Sequence, residues 1–157
     1  MKQVINFFEK GQRGIKALNG LGAYLYKSPV ERSLLNLIYY RVSQLNGCAF
    51  CLDMHSKDLL AEGENPQRLL VISAFREAPF YSERERAALA FAEALTKLNG
   101  HPIDESVYEE ALKQFTEEEL IDITFAVIAI NSYNRVNLAF PNPAVVGTYT
   151  PGQFANA

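Results

Sequence analysis

The chain has few of the residues that carry most site chemistry. Its 157 residues include two cysteines and two histidines. Excess positive charge is missing as well. Fifteen Lys and Arg stand against eighteen Asp and Glu, a formal net charge of −3. That balance gives no support to nucleic acid or an anionic membrane as a partner, and neither is expected. The longest apolar run, 123–130, is interrupted by Thr124 and stops at Asn131, so nothing spans a bilayer. No alternating strand pattern, internal repeat, low-complexity block or linker stands out. The opening stretch, 1–9, is too short and too polar for a signal peptide. With no export signal the expected compartment is the cytoplasm. In that reducing setting a Cys-x-x-Cys pair is more often catalytic or metal-binding than a structural staple.

What is present reads as helix after helix. The expected fold is an all-α bundle of about six to eight helices, a single domain over 1–157 with its core at about 28–138 and an irregular tail over 139–157. Residues 3–26 carry Val4, Ile5, Phe7, Phe8, Ile15, Leu18, Leu21, Tyr24 and Leu25 at near-helical spacing, loosened by Gly11, Gly14, Gly20 and Gly22. One broken helix or two short ones fit that pattern. Ser28-Pro29-Val30-Glu31 predicts a start with Ser at the cap and Pro at the first helical position; that helix closes at Asn46-Gly47. Another is expected to run from Asn65-Pro66 to Pro79. Capping boxes at Ser82–Glu85 and Thr116–Glu119 open helices ending at Asn99-Gly100 and near residue 138, with a shorter one over 104–115 between them. The last helix is apolar on more than one face from Ile121 to Ile130, which suits a bundle centre or a subunit contact. Eight Tyr and ten Phe add apolar surface, and a homo-oligomer is the expected assembly.

The organising stretch is Asn46-Gly47-Cys48-Ala49-Phe50-Cys51-Leu52-Asp53-Met54-His55. A helix starting here turns by about 100° per residue. Cys48 and Cys51, three apart, and His55, four further on, then share one face. Both thiols fall in the first turn, where unpaired N–H groups favour the thiolate and can lower a thiol pKa from about 8.5 to roughly 3.5–7.5. Two thiols within bonding reach and an imidazole beside them are the minimum apparatus for thiol–disulfide chemistry. The plainer reading is two buried cysteines packed as small hydrophobes with a surface histidine. A structural zinc site requires four ligands and only three converge; His101 lies far off before Pro102, in a turn. No metal and no cofactor are therefore expected. Asp53 should be solvated. Asp58, three residues past His55, should be a surface carboxylate, although it could orient the imidazole.

Residues 41–55, Arg-Val-Ser-Gln-Leu-Asn-Gly-Cys-Ala-Phe-Cys-Leu-Asp-Met-His, resemble the core motif of the alkylhydroperoxidase D-like (AhpD-like) proteins of the carboxymuconolactone decarboxylase superfamily. The similarity continues through Phe75–Pro79, Ser82–Leu89 and Asn131–Arg135, and so covers about residues 30–138. It implies an all-helical fold assembling as trimers or hexamers, and a thiol-dependent peroxidase or disulfide reductase. The resemblance makes Cys51 the thiol that attacks a hydroperoxide and Cys48 the resolving thiol. His55 becomes the proton relay, and an unidentified dithiol the reductant. The residues themselves support pairing Cys51 with His55, one turn apart. They leave the order of the thiols open, because Cys48 lies nearer the helix N-terminus.

One departure from the family motif stands out. The family has a glutamate twelve residues before the first cysteine, and this chain has Asn36. An amide accepts no proton at neutral pH, and general-base assistance is worth roughly 10²–10⁴-fold in rate. A weakened relay is the expectation; Glu31, Tyr39 and Tyr40 lie upstream, but nothing in the sequence selects one. Two alternatives stand beside the peroxidase. A carboxymuconolactone decarboxylase-type enzyme would not need two thiols, and a non-catalytic redox-sensing helical oligomer would use the pair as a switch.

Overall fold

The computed structural model describes residues 5–153. Its helices are α1 (Phe7–Lys10), α2 (Gln12–Leu25), α3 (Arg32–Asn46), α4 (Ala49–Ala61), α5 (Pro66–Val71), α6 (Glu83–Thr96), α7 (Glu105–Leu112) and α8 (Glu117–Ala139). Two 3₁₀ turns, Ile72–Ala74 and Pro143–Val145, complete the regular structure, and no strand occurs among the described residues. The fold is all-α, as the periodicity predicts. Val4, assigned to the first helix, lies outside the described residues.

Two glycines set the chain's path. Gly11 separates α1 from α2, and a Cβ there would sit 2.7 Å from the Phe7 carbonyl oxygen, so only glycine fits. Gly47 closes α3 with φ +71°, a left-handed conformation that glycine adopts without penalty. The next N–H, that of Cys48, donates to the Ser43 carbonyl at 3.1 Å. This tight reversal starts α4 directly against α3.

The two antiparallel neighbours α3 and α4 divide the interior. Leu35, Ile38 and Val42 pack with Cys48, Cys51, Ala88, Ile123 and Val127 in one apolar cluster. Leu37 and Leu59 pack with Leu69, Ile72, Phe75 and Leu89 in a second. Each large aliphatic side chain buried in this way contributes about 1.5–3 kcal/mol. Arg41 of α3 and Glu93 of α6 form a buried ion pair, which the more exposed Arg76 joins. Arg41 Nε donates to Glu93 Oε1 at 2.8 Å, and Arg76 Nη1 donates to Oε2 at 2.9 Å. Burial alone would raise the Glu93 carboxyl, but the two guanidinium groups outweigh it and hold the pKa below the usual range.

Both capping boxes form, Ser82 with Glu85 and Thr116 with Glu119. The third start signal does not form as expected. Ser28 Oγ accepts only from the Val30 N–H at 3.2 Å, and the helix begins at Arg32 with Glu31 in the cap position. Glu31 is drawn out by Arg84, whose Nε and Nη2 each reach its carboxylate at 3.0 Å, while Val30 is buried. The helix expected from Asn65 to Pro79 is also shorter. It gives way at Ile72 to a 3₁₀ turn, whose three-residue period buries both Ile72 and Phe75 and leaves Leu70 75% exposed. The helices α6 and α7 each end about one turn before the expected stop, and Phe115 is nevertheless buried just beyond α7.

Candidate functional site

The cysteine stretch starts a helix as predicted. Cys48 is the N-cap of α4 in an extended conformation, and its Sγ accepts the Cys51 N–H at 3.4 Å. A sulfur thus does the work that a Ser or Asp side chain usually does at this position. Cys48 and Cys51 are joined as a disulfide, with Cα atoms 5.4 Å apart, in the ordinary range for such a bond. Both cysteines are 1% exposed.

His55 follows one turn later and is itself buried, 7% exposed. Neither ring nitrogen has a protein hydrogen-bond partner among the described residues. Its nearest ring neighbour is Tyr39 of α3, centroid to centroid 5.2 Å. Burial disfavours the imidazolium and pushes the His55 pKa down to about 4. The imidazole is therefore neutral at neutral pH. Burial also raises Tyr39 well above the usual phenol range. The three groups that the sequence singled out thus lie on one short stretch of α4, largely dry and uncharged.

Asn36 is also buried, but no hydrogen bond joins it to His55. Its Nδ2 donates instead to Glu62 Oε2 at 3.0 Å. Glu62 is the residue after the end of α4, and Arg32 Nε holds its other oxygen at 3.1 Å. The carboxylate that position 36 meets is therefore that of Glu62. The sequence offered no sign of this partner, because 26 residues separate the two. Glu62 lies about 10 Å beyond His55 along the helix axis, with buried Leu59 between. Of the upstream groups named, Tyr39 meets the imidazole, Glu31 pairs with Arg84 and Tyr40 packs against the second cluster.

The other polar groups of α4 hold the tail. Asp53 is not simply solvated: it pairs with Lys57 Nζ at 2.9 Å and accepts the Gly147 N–H at 2.9 Å. Lys57 Nζ also donates to the carbonyls of Gly147 and Tyr149, each at 3.0 Å. Asp58 does not orient the imidazole. It accepts the Tyr149 hydroxyl at 2.8 Å and the Gly152 N–H at 3.3 Å. Over its described residues, 140–153, the tail carries one 3₁₀ turn and is strapped along the cysteine helix, with Tyr149 buried. His101 is exposed in the loop between α6 and α7. Among the described residues no three His, Cys, Asp or Glu side chains are grouped to hold a metal ion, and no helix is long and apolar enough to cross a membrane.

A residue absent from the sequence reading completes the site. Asn137 of α8 donates through Nδ2 to Cys51 Sγ at 3.8 Å. It lies 86 positions from Cys51 in sequence, and no local motif announces it.

An all-α protein with a Cys-x-x-Cys pair capping one helix and a buried histidine one turn on is the class these features define. The sequence model of the Carboxymuconolactone decarboxylase family matches residues 12–94, and the chain belongs to that family. The matched stretch takes in Cys48, Cys51 and His55 and ends before α8. The chain is 35% identical over 144 residues to the uncharacterized protein YdfG of Bacillus subtilis (strain 168), covering 92% of this chain and 98% of that protein. It also resembles the crystal structure of a protein of unknown function from Agrobacterium tumefaciens, described as a candidate antioxidant-defence protein AhpD. That similarity has a TM-score of 0.84 at 37% identity over 88% of this chain and 95% of the other. The debrominase Bmp8, solved as an alanine variant with 2,3,4-tribromopyrrole, is similar at TM-score 0.74 and 26% identity, over 84% of this chain and 71% of that one.

Proposed function

We propose that this chain is a thiol-dependent peroxidase and disulfide reductase. The observation that carries the reading is the Cys48–Cys51 disulfide at the N-terminus of α4 with buried His55 one turn beyond. In the reduced protein, Cys51 thiolate attacks the terminal oxygen of a hydroperoxide. The O–O bond breaks, the alcohol or water leaves with a proton relayed by His55, and Cys51 becomes a sulfenic acid. Cys48 then attacks that sulfur, the S–S bond forms and water departs. An external dithiol reduces the pair by exchange and is itself oxidised to a disulfide. No carboxylate among the described residues is bonded to His55: Asn36 stands where the family motif has a glutamate and is engaged with Glu62, so a slow enzyme is the expected outcome. Peroxide consumption driven by a small dithiol tests the reading. It should require both cysteines, and turnover unchanged from the parent protein in Cys48→Ser and Cys51→Ser would end it.

The same proposal takes residues 1–157 as one domain, working in the cytoplasm, where reducing dithiols are abundant. It also includes a homo-oligomer, a trimer or hexamer. In support, Ile121, Phe125 and Ile128 leave an apolar stripe exposed along α8, beside Tyr24 of α2, whose ring meets Phe125 edge-on at 6.0 Å. Sedimentation at micromolar concentration should give a multiple of the chain mass, and a monomer mass would contradict it.

The likeness to Bmp8 favours a second reading, reductive debromination by the same pair. There the two thiols would supply two electrons, a C–Br bond would be replaced by C–H, and bromide would leave as the disulfide forms. Offering 2,3,4-tribromopyrrole in the same assay and following bromide separates the two. Thiol-independent loss of a muconolactone-type acid would favour the decarboxylase instead. Stoichiometric oxidation without turnover, coupled to a change of assembly, would favour the redox switch.

A further inference from the structure

The two sulfurs of the pair have different donors. Cys48 Sγ receives a backbone N–H from its own helix, and Cys51 Sγ receives a side-chain amide from α8. Among the described residues, Asn137 is the one hydrogen-bond donor to Cys51 Sγ. The orientation of its amide is settled by a second contact, because Nδ2 also donates to the Tyr133 carbonyl at 2.9 Å, an oxygen that can only accept.

The position of Asn137 is set by the residues before it. Asn131, Asn134 and Asn137 recur every three residues on α8 and form a polar seam facing the end of α3. Asn46 Nδ2 donates to Asn131 Oδ1 at 3.0 Å and to Asn134 Oδ1 at 2.8 Å. Fully buried Asn134 donates in turn to Ser43 Oγ at 3.1 Å. These bonds lock α8 in rotation and height against the Gly47 turn. The first two amides of the seam meet other polar side chains of α3, whereas the third meets a sulfur.

Titratable groups on the elements that meet at that sulfur include Cys48 and His55 on α4, Tyr39 on α3 against the imidazole, and Tyr133 on α8, whose carbonyl holds Asn137. Burial keeps His55 neutral and raises both tyrosines, so none supplies a positive charge at neutral pH. An anion on Cys51 is met by the α4 N-terminus and by the Asn137 amide.

We propose that Asn137 sets the reactivity of Cys51, its amide stabilising the thiolate before attack and the same anion when it leaves during reduction. In that reduction the external dithiol attacks the Cys48 sulfur, the S–S bond breaks and its electron pair leaves on Cys51. The second thiol of the reductant then displaces Cys48. The dithiol ends as a disulfide and the pair is reduced. The consequence for turnover rests on the thiol-peroxidase reading above; the effect on the Cys51 thiol does not.

The test is made on a Cys48→Ser background, where Cys51 is the one titrating thiol. Its pKa is read from the pH dependence of alkylation by iodoacetamide and of thiolate ultraviolet absorbance. Losing a hydrogen bond to an anion raises the pKa, so Asn137→Ala should raise it by about one unit and slow alkylation at neutral pH several-fold. Asn137→Asp is nearly isosteric but puts a negative charge where the donor was, and should raise it further. Asn137→Gln keeps an amide and should remain closest to the parent. A purely packing role predicts no such order, because Asp fills the space of Asn. Equal Cys51 pKa values in the Ala, Asp and Gln variants, with circular dichroism unchanged, would overturn the proposal. If Ala or Asp fails to fold, the Asn137→Gln and Asn137→Ser pair decides the matter: Ser, too short to reach the sulfur, should raise the pKa and Gln should not. The predicted order in a protein without peroxide turnover would uphold Asn137 and reject the peroxidase.

Discussion

Two sets of polar side chains share α4, and they are treated in opposite ways. The tail-facing set, Asp53, Lys57 and Asp58, is saturated: each makes at least two hydrogen bonds or ion contacts to α4 itself or to residues 147–152. The core-facing set, Cys48, Cys51 and His55, is nearly dry, and the imidazole makes no protein hydrogen bond among the described residues. Charged residues that look chemical on paper serve as anchors here. The groups with spare bonding capacity lie among apolar neighbours, where each remaining interaction is stronger for lack of water. Hydrogen-bond saturation, more than charge, separates building material from candidate chemistry on this helix.

The sharpest way to break that comparison is to disable one sulfur at a time. Cys51→Ser should reduce peroxide turnover to background. Cys48→Ser should allow one attack and then stall, leaving sulfenic acid on Cys51, which a dimedone adduct in the mass spectrum would reveal. A single attack that stalls with the adduct on Cys48 in the Cys51→Ser protein, and no adduct on Cys51 in the Cys48→Ser protein, would reverse the order of the thiols.

Next in size is His55→Phe. Loss of proton transfer should slow turnover by roughly 10²–10⁴-fold. The same variant alters acid stability. The folded-state pKa, about 4, lies below the ordinary histidine value of 6.5, so the unfolded chain binds the extra proton across that window. Stability attributable to His55 is therefore complete above about 6.5 and falls on acidification toward 4, at up to about 1.4 kcal/mol per pH unit. Urea unfolding of the oxidised protein across that range should show the decline, and His55→Phe should flatten it.

The tail-facing set should respond to stability and not to chemistry. Asp58→Ala removes a charged acceptor from Tyr149 and Gly152 and should cost about 1.5–3 kcal/mol, with the Cys51 thiol pKa unchanged. Its pH signature lies at the other end of the scale. Burial and the Asp58 hydrogen bond raise the Tyr149 pKa to about 12 from 10.0, so that contribution is intact below 10 and is lost only as the pH climbs toward 12. Smallest is the effect of restoring the family glutamate. Asn36→Glu sets a second carboxylate beside Glu62, where like charges raise one of the two pKa values. Its cost in urea stability at neutral pH should shrink on acidification, and turnover should barely gain, since no bond leads from there to His55.

Much of this was legible because it is local. Gly47 followed by a run of good helix formers fixes where α4 begins, and i, i+3, i+7 spacing gathers Cys48, Cys51 and His55 without reference to the rest of the chain. The two capping boxes were readable for the same reason. The start at Ser28 does not form because Arg84, 53 residues from Glu31, competes for its carboxylate. The helix from Asn65 stops short of Pro79 because the stretch tightens into a 3₁₀ turn at Ile72. Asn137 and Glu62 were invisible since their roles exist only once α8 and the end of α4 are placed against distant partners. The family motif directs attention to position 36, but not to Glu62, the carboxylate that Asn36 meets.

The most direct test of the redox role uses the fully reduced native chain and less than one equivalent of hydroperoxide, followed by quench and peptide mass spectrometry. The account predicts that each peroxide consumed yields one intrachain Cys48–Cys51 disulfide, with two thiols lost together and the pair restored on adding a dithiol. Peroxide consumed while both thiols stay reduced, or sulfur oxidised without a bond between the two, would contradict it.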